Sequence, residues 1–453
     1  MKSINPYNGE ILQEFNEHSE QETQQIIEDS HQAFLQWRGI TIKDRSKLMS
    51  QVAEVLRNNK EKYARIISLE MGKVIKESRA EVEKCAWVCD YYAENAEGFL
   101  KDEPIKLPEG KKAKVIYNPL GVILAVMPWN FPFWQVFRFA APNLLAGNTG
   151  LLKHASNVPK CAMAIEDIFI KAGFPKGVFQ TLMIGSGQVK NIIENPLVKA
   201  VTLTGSEKAG QSIAAEAGKV IKKTVLELGG SDPFIVLKDA NLEKAAKTAA
   251  KARMINFGQS CIAAKRFIIE EEVYDEFIEK FKSTIESYKQ GEQLDESADY
   301  ACMARPDLAE ELYHQVDDSL KLGAEVLLHG MVPEKGKSFF KPMILTNLSP
   351  EMPAYREEFF GPVALVFKVK NVEEAIQIAN DSPFGLAASV WTNDKDKADQ
   401  LSREIETGAV FINKMVASNP YLPFGGIKTS GYGRELGEIG IKEFVNIKTV
   451  YLG

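Results

Sequence analysis

Two side chains have the type and setting that nucleophilic catalysis at a carbonyl requires. Cys261 follows Asn256-Phe257-Gly258-Gln259-Ser260, a small, polar segment that is a poor sequence for a buried core. Glu227 lies 34 positions earlier (261 − 227), between two leucines and before Gly229-Gly230, where an apparent strand ends. A thiol can add to a carbonyl carbon, and burial can raise the pKa of a carboxylate that serves as a base. The pair therefore suggests covalent catalysis.

Other interpretations of these residues are more ordinary. A lone cysteine is usually a small buried hydrophobe, and an exposed glutamate is usually solvated. A cysteine hydrolase is the other common use of such a thiol, but it needs a histidine partner. The histidines lie in no motif that suggests such a partner and form no ligand pair: His18, His31, His154, His314 and His329. We therefore rank a hydrolase low and expect no catalytic metal.

Length and composition indicate a globular protein of more than one domain. A chain of 453 residues exceeds one ordinary core, so we expect two or three domains. The net charge of −6 favours solubility and argues against nucleic-acid binding. No apolar run is long enough to cross a bilayer, and the N-terminus lacks the apolar core of a secretory signal. The cytoplasm is therefore the expected compartment.

Cysteine usage gives no sign of a disulfide framework, because the five cysteines are few, odd in number and irregularly spaced. Cys85 and Cys89 are four apart in a predicted helix, so we expect both on one buried face.

The chain alternates between strand and helix patterns after a helical region that extends from about residue 20 to residue 100. Strands are predicted at 112–117, 121–127, 150–153, 178–183, 200–203, 234–237, 364–369, 391–392 and 410–413. Helices are predicted at 133–145 and 161–171, after Gly205-Ser206, and at 242–256 and 273–289. This alternation predicts doubly wound parallel sheets.

With Pro128-Trp129-Asn130-Phe131-Pro132 upstream, these motifs closely resemble the aldehyde dehydrogenase superfamily, from about residue 5 to the C-terminus. In that family the cysteine is the nucleophile, the glutamate is the general base, and the asparagine helps to hold an oxyanion. The resemblance therefore implies that Cys261, Glu227 and Asn130 are catalytic. We expect the Cys261 backbone N–H to be the second oxyanion donor. An aldehyde carbon can give up hydride once a thiolate has added, and the thioester then needs an activated water.

The same resemblance implies an α/β fold with two doubly wound parallel-sheet domains and a small β-arm that mediates oligomers. By analogy, residues 1–96 and 119–229 form the NAD(P)-binding, Rossmann-like domain. Residues 230–428 form the catalytic domain, and residues 97–118 and 440–453 form the oligomerisation arm. A homodimer or homotetramer is implied. Periodicity alone does not predict the arm.

The cofactor site is expected near Gly205 and Ser206, which follow a strand and open a helix. The usual G-x-G-x-x-G is missing, and an ordinary helix cap is the alternative. In the family, a lysine corresponding to Lys153 contacts the adenosine ribose, and a glutamate three positions later often binds its hydroxyls. Here that position is Ser156, which favours NADP because a serine can donate a hydrogen bond to a 2′-phosphate, whereas a carboxylate would repel it. NAD stays possible.

The remaining expected cofactor-binding residues are implied by the resemblance. Glu358, in Glu357-Glu358-Phe359-Phe360-Gly361-Pro362, would take the nicotinamide-ribose hydroxyls, and Phe360 would pack at the nicotinamide end. The expected set also includes Trp129, Asn130 and Leu228.

Arg138 is the candidate for recognition of a substrate carboxylate. It lies eight residues after Asn130 on a predicted helix, among aromatic residues, and an ion pair with a local acid is an equally ordinary role. In succinate-semialdehyde dehydrogenases of this family an arginine at this position binds the carboxylate. A second arginine, which often also binds the substrate carboxylate in the family, is replaced here by Ile255. Ser418 is the candidate for the missing hydrogen-bond donor.

We therefore expect the chain to resemble most the short bacterial succinate-semialdehyde dehydrogenases and to oxidise a short carboxylated aldehyde with NADP. Succinate semialdehyde is the best candidate substrate. The alternatives are an aldehyde dehydrogenase of another or broader aldehyde range, and a non-catalytic nucleotide-binding or structural protein on the same fold. A CoA-acylating enzyme is disfavoured because Glu227 is present to activate water.

Overall fold

A computed structural model describes residues 1–108, 111–331 and 333–452. The helices span Glu20–Trp37 (α1), Ile42–Asn58 (α2), Lys60–Met71 (α3), Ile75–Phe99 (α4), Trp134–Leu145 (α5), Pro159–Lys171 (α6), Val189–Glu194 (α7), Glu207–Lys219 (α8), Leu242–Met254 (α9), Tyr274–Glu286 (α10), Pro306–Lys321 (α11), Pro353–Arg356 (α12), Val372–Asn380 (α13), Lys395–Glu404 (α14) and Gly437–Ile441 (α15). Short 3₁₀ turns lie at Ser186–Gln188, Ile255–Gly258 and Glu271–Val273.

The strands span Lys2–Ile4 (β1), Ile11–Glu14 (β2), Glu103–Lys106 (β3), Lys112–Pro119 (β4), Val122–Met127 (β5), Thr149–His154 (β6), Phe179–Thr181 (β7), Val198–Thr204 (β8), Lys223–Glu227 (β9), Pro233–Val236 (β10), Arg266–Glu270 (β11), Glu325–Leu328 (β12), Met343–Thr346 (β13), Val363–Val369 (β14), Phe384–Gly385 (β15), Ala388–Trp391 (β16), Val410–Ile412 (β17), Ile427–Lys428 (β18), Gly431–Tyr432 (β19) and Val445–Leu452 (β20).

The first large sheet has the order β19-β9-β8-β5-β6-β7 and is parallel except at β19. Strand β5 is first along the chain but central in the sheet, so the connections from β5 run in opposite directions. In such doubly wound sheets, ligands bind in the crevice beyond the carboxyl ends of the strands where the order reverses. The fold therefore places a ligand crevice beyond β5 and β8.

The second large sheet has the order β12-β13-β14-β11-β10-β16-β17 and is parallel from β13 to β17. Its inner strands β10, β11, β14 and β16 are almost wholly buried, as expected when helices cover both faces of a parallel sheet. Apart from these, β4 pairs with β3 and, along its whole length, with β20 in an antiparallel sheet. The predicted arm also included residues 109, 110 and 453, which lie outside the described residues.

The α/β class with parallel sheets is confirmed, while several element bounds differ from the sequence predictions. The helical region before residue 100 divides into α1 to α4, and Gly72 ends α3 with a left-handed backbone (φ 93°). Strand β7 is shorter than the predicted 178–183, and β16 begins three residues earlier than the predicted 391. Cys85 and Cys89 are both buried in α4, as expected. No described helix is long and apolar enough to cross a membrane.

Candidate active site

Four neighbouring strand ends bring the candidate residues to one edge of the first sheet. In the order β9-β8-β5-β6, these strands end at Glu227, Thr204, Met127 and His154. The candidate side chains lie at these ends or in the turns that follow: Trp129, Asn130, Lys153, Ser156, Gly205, Ser206, Glu227 and Leu228. Residues up to 99 positions apart (228 − 129) therefore lie along one edge of the sheet, as the alternating pattern predicts.

Cys261 follows a strained turn. Asn256, Phe257 and Gly258 have φ values of 51°, 54° and 76°, a left-handed backbone that non-glycine residues rarely adopt. Asn256 stabilises this turn, because its Nδ2 donates to the carbonyl oxygens of Asn130 (2.8 Å) and Gln259 (2.9 Å). Strain of this kind persists only where the surroundings enforce it, and it concentrates at functional sites.

The two expected oxyanion donors are available. Asn130 is buried, and its Nδ2 donates one hydrogen bond, to the Gln259 carbonyl oxygen at 3.1 Å. An amide nitrogen carries two hydrogens, so one stays free for a ligand. Within residues 1–108, 111–331 and 333–452, the Cys261 backbone N–H donates to no hydrogen-bond acceptor. Both groups can therefore donate to a negatively charged oxygen beside the thiol.

The Cys261 thiol is half-buried between two cavities that it borders. Burial raises its pKa to about 12, while the Lys265 ammonium and the Arg138 guanidinium counteract that effect. Lys265 is fully buried, and its Nζ donates to the carbonyl oxygens of Ser260 (2.8 Å) and Cys261 (2.7 Å). The attacking species is the thiolate, so these cations favour the reactive form of the thiol.

Glu227 is buried, 2% exposed, and neither of its carboxylate oxygens has a hydrogen-bond donor among the described residues. Burial raises its pKa well above the usual value; Glu435 raises it further, whereas Arg138 opposes the rise. A buried carboxyl with a raised pKa is a suitable general base or acid near neutral pH. Glu227 borders neither cavity, and its Oε1 lies 2.7 Å from where a Cβ on Gly425 would stand.

One cavity, of about 290 Å³, is lined by seven of the nine expected cofactor residues: Trp129, Asn130, Gly205, Ser206, Leu228, Glu358 and Phe360. Ser206 caps α8, and its side chain accepts from the Ala209 N–H, so the positive end of the helix dipole faces this cavity.

Glu358 forms an ion pair with Lys265 at 3.0 Å and accepts from the Gly230 N–H at 3.1 Å. The remaining two expected cofactor residues, Lys153 and Ser156, line neither this cavity nor the larger one. Lys153 is 9% exposed near the end of β6, and Ser156 is exposed in the following turn.

The second cavity, of about 560 Å³, has Arg138 and Ser418 in its wall, together with Cys261 and Ile255. Arg138 is 2% exposed; its Nε forms an ion pair with Glu435 and its guanidinium lies over the Phe424 ring at 4.6 Å. Arg138 thus has an acidic partner, as the alternative to a substrate-binding role requires. Ser418 accepts a hydrogen bond from Lys84 Nζ at 2.7 Å.

Several residues that position the site escaped the sequence analysis. Glu81 Oε1 accepts from the N–H groups of Phe133 (2.8 Å) and Trp134 (3.0 Å) at the start of α5, and Glu81 pairs with buried Lys73 at 2.6 Å. His154 holds the Asn130 loop from the other side, because its Nε2 donates to the Pro132 carbonyl oxygen at 2.8 Å. No local motif marks these residues, or Glu435 and Lys84, because their partners are distant in sequence. Lys265 also escaped the sequence analysis, although two of its acceptors, Ser260 and Cys261, are only five and four positions away.

Comparison with known proteins agrees with this geometry. Residues 1–450 match the Aldehyde dehydrogenase family, and the chain belongs to that family. It is 50% identical over 450 residues to a probable NADP(+) succinate-semialdehyde dehydrogenase of Synechocystis sp., with 99% of each chain covered. It is 47% identical over 452 residues to NADP(+) succinate-semialdehyde dehydrogenase 1 of Mycobacterium bovis, again with 99% of each covered.

The fold is also that of solved structures. Succinic semialdehyde dehydrogenase from Streptococcus pyogenes, solved with NADP+ as the cofactor, superimposes with a TM-score of 0.97 at 39% identity. That match covers 100% of this chain and 99% of the other. The expected resemblance to aldehyde dehydrogenases is therefore confirmed for both sequence and fold.

Proposed function

We propose that this protein is an NADP-dependent aldehyde dehydrogenase that oxidises succinate semialdehyde to succinate. The observation that carries the proposal is that Cys261 borders both cavities, so a thiol-bound substrate on one side faces the cofactor cavity on the other. Full-length relatives at 47–50% identity bear the name NADP(+) succinate-semialdehyde dehydrogenase, which supports this substrate and cofactor.

The residues of the smaller cavity fit a nicotinamide dinucleotide. The N-terminus of α8 suits a pyrophosphate, the Glu358 carboxylate suits ribose hydroxyls, and Phe360 packs edge-on against Trp129 at 5.8 Å to form an aromatic wall. Ser156, rather than an acidic residue, follows Lys153 by three positions, which favours a 2′-phosphate and hence NADP, with NAD as a weaker alternative. When bound, the cofactor accepts the hydride that the substrate gives up.

The chain's own residues carry the remaining steps. The Cys261 Sγ bonds to the aldehyde carbon, and Asn130 Nδ2 and the Cys261 N–H stabilise the resulting oxyanion. Loss of hydride converts this thiohemiacetal into a thioester. Glu227 takes a proton from the water that attacks the thioester, and the C–S bond breaks to release the acid. Because Glu227 borders neither cavity, its side chain must turn towards Cys261 for this step.

We also propose a domain organisation, an oligomeric state and a cellular location. The two parallel sheets support a cofactor domain of residues 1–96 and 119–229 and a catalytic domain of residues 230–428. The β3-β4-β20 sheet supports an oligomerisation arm from residues 97–118 and 440–453, and hence a homodimer or homotetramer. We propose a cytoplasmic location, with a small aldehyde as the substrate.

A covalent intermediate tests the chemistry directly. Glu227→Gln should form the thioester but hydrolyse it slowly, so one equivalent of NADPH should appear in a burst before a steady rate that is lower by about 10²–10⁴-fold. Mass spectrometry should then find a succinyl group on Cys261.

Cys261→Ala should show neither burst nor adduct, while Cys302→Ala, which alters a buried cysteine elsewhere, should retain both in the Glu227→Gln background. Turnover by Cys261→Ala, or a succinyl adduct at another residue, would refute the mechanism.

A further inference from the structure

Two carboxylates of α4 contact the two chain segments that carry the oxyanion donors. Glu77 and Glu81 are four positions apart, so they lie on the same face of the helix. The Glu77 Oε1 accepts from the Asn256 backbone N–H at 3.1 Å, in the strained turn that precedes Cys261. The Glu81 Oε1 accepts from the two N–H groups at the start of α5, which follows Asn130. One helical turn of α4 therefore holds both segments.

Direct contacts between the two segments close a ring of hydrogen bonds with these carboxylates. The Asn256 Nδ2 donates to the Asn130 carbonyl oxygen at 2.8 Å. The Asn130 Nδ2 donates to the Gln259 carbonyl oxygen at 3.1 Å. Because Glu77 and Glu81 belong to one helix, they fix the position of the Asn130 amide relative to the turn before the nucleophile.

A buried cation completes the arrangement. Lys73 and Glu81 are 3% and 4% exposed, and the Lys73 Nζ lies 2.6 Å from the Glu81 Oε2. The same ammonium lies 3.9 Å from the centroid of the ring of Phe131, the residue that follows Asn130. Buried charges are normally paired, and hydrogen bonds to a charged acceptor are stronger than neutral ones. The start of α5 is therefore held firmly against α4.

Oxyanion stabilisation depends on donors that already point at one oxygen before the reaction begins. Here the donors are the Asn130 Nδ2 and the Cys261 N–H. We propose that Glu77 and Glu81 are positioning residues that jointly set the geometry of these two donors and thereby the rate at which Cys261 is acylated. They act through Asn256 and through α5, not on the substrate. This inference rests on the proposed function, because it concerns the tetrahedral intermediate of the same reaction.

The test compares two reactions of Cys261 that need no cofactor. With 4-nitrophenyl acetate, the thiolate sulfur bonds to the acetyl carbon through a tetrahedral oxyanion, and the C–O bond then breaks to release 4-nitrophenolate. With iodoacetamide, the thiolate displaces iodide from a saturated carbon, so no oxyanion forms. A change in the pKa or exposure of the thiol alters both rates, whereas misplaced donors slow acylation alone. The ratio of the acylation rate constant to the alkylation rate constant therefore reports on the donors.

Glu77→Ala should lower this ratio by about 10–100-fold, whereas removal of a donor in Asn130→Ala should lower it by roughly 10²–10³-fold. Glu77→Gln keeps an oxygen that accepts from the Asn256 N–H, so it should recover most of the loss. Glu83→Gln is the matched control, because Glu83 is exposed on the same helix and pairs with Arg57 at 2.9 Å. This change should alter the ratio by less than about twofold.

The Glu81 contact gives an independent test. Removal of Glu81 alone would leave Lys73 buried without a partner, so the variant combines Glu81→Ala with Lys73→Met. This double variant should lower the ratio by about 10–100-fold in the parent but by less than about threefold in the Asn130→Ala background, because Glu81 acts through Asn130. Glu81→Gln with Lys73→Met keeps an acceptor for the α5 N–H groups and should recover most of the loss.

Equal losses of acylation and alkylation in Glu77→Ala and in the double variant would mean that the carboxylates only stabilise the fold, and this result would overturn the inference. An unchanged ratio, or an undiminished loss in the Asn130→Ala background, would overturn it as well. If the parent does not oxidise succinate semialdehyde, the proposed function fails, and the acylation and alkylation rates still test the two carboxylates.

Discussion

The strained turn before Cys261 gives a sharp prediction for Gly258. This glycine has φ of 76°, and a Cβ at this position would stand 2.3 Å from the Gly361 carbonyl oxygen and 2.8 Å from Arg253 Nη2. A left-handed backbone costs an alanine about 1–2 kcal/mol, and overpacking costs about 1–3 kcal/mol. Gly258→Ala should therefore lower the free energy of unfolding by roughly 2–5 kcal/mol.

The effect on catalysis should be larger than the effect on stability suggests. Relief of the overlap requires the turn or the segment that follows Phe360 to move, and a displacement of about 1 Å at a reacting group can cost roughly 10²-fold in rate. We expect kcat/KM for succinate semialdehyde to fall at least that far, together with a changed rate of Cys261 alkylation.

Gly98→Ala is the matched control, because a Cβ there meets nothing within 4 Å in α4 and alanine favours a helix. Assays should be run well below the unfolding midpoint of each variant. A folded Gly258→Ala protein with kcat/KM within threefold of the parent would refute the argument that this turn positions the nucleophile.

A further prediction concerns cofactor specificity. Ser156→Glu should lower the ratio of kcat/KM for NADP to that for NAD by about 10–100-fold, because two like charges about 6 Å apart repel by roughly 1.4–2.8 kcal/mol at partly solvated sites; an unchanged ratio would place cofactor selection elsewhere.

Local patterns predicted the main features of the fold correctly. The strand-helix alternation predicted parallel sheets, and the apolar run at 121–127 predicted a strand covered on both faces, which is β5. Helix bounds agree within a few residues where a cap is strong, as at Ser206 before α8. Strand ends were less accurate at β7 and β16, where hydrogen-bond pairing with a neighbour decides where the strand stops.

The catalytic residue types of the candidate site could be predicted from the sequence, but most of the contacts between their side chains could not. Motifs marked Cys261, Glu227 and Asn130, which the fold brings to the same region, and their roles stay predictions. No motif could reveal the ion pair between Glu435 and Arg138 or the hydrogen bond from Lys84 to Ser418. These contacts join residues that are 297 and 334 positions apart (435 − 138; 418 − 84). Such contacts are set by the packing of whole elements, which local periodicity does not encode.

The most direct test of the proposed function is the initial rate of NADPH formation by the purified protein with succinate semialdehyde, in parallel with NAD in place of NADP and with butanal in place of the semialdehyde. We expect rapid reduction of NADP with the semialdehyde, slower reduction of NAD, and a kcat/KM for butanal that is lower by at least tenfold. Equal or greater activity on butanal would contradict the proposed preference for a carboxylated aldehyde, and no activity on either aldehyde would contradict the proposed function.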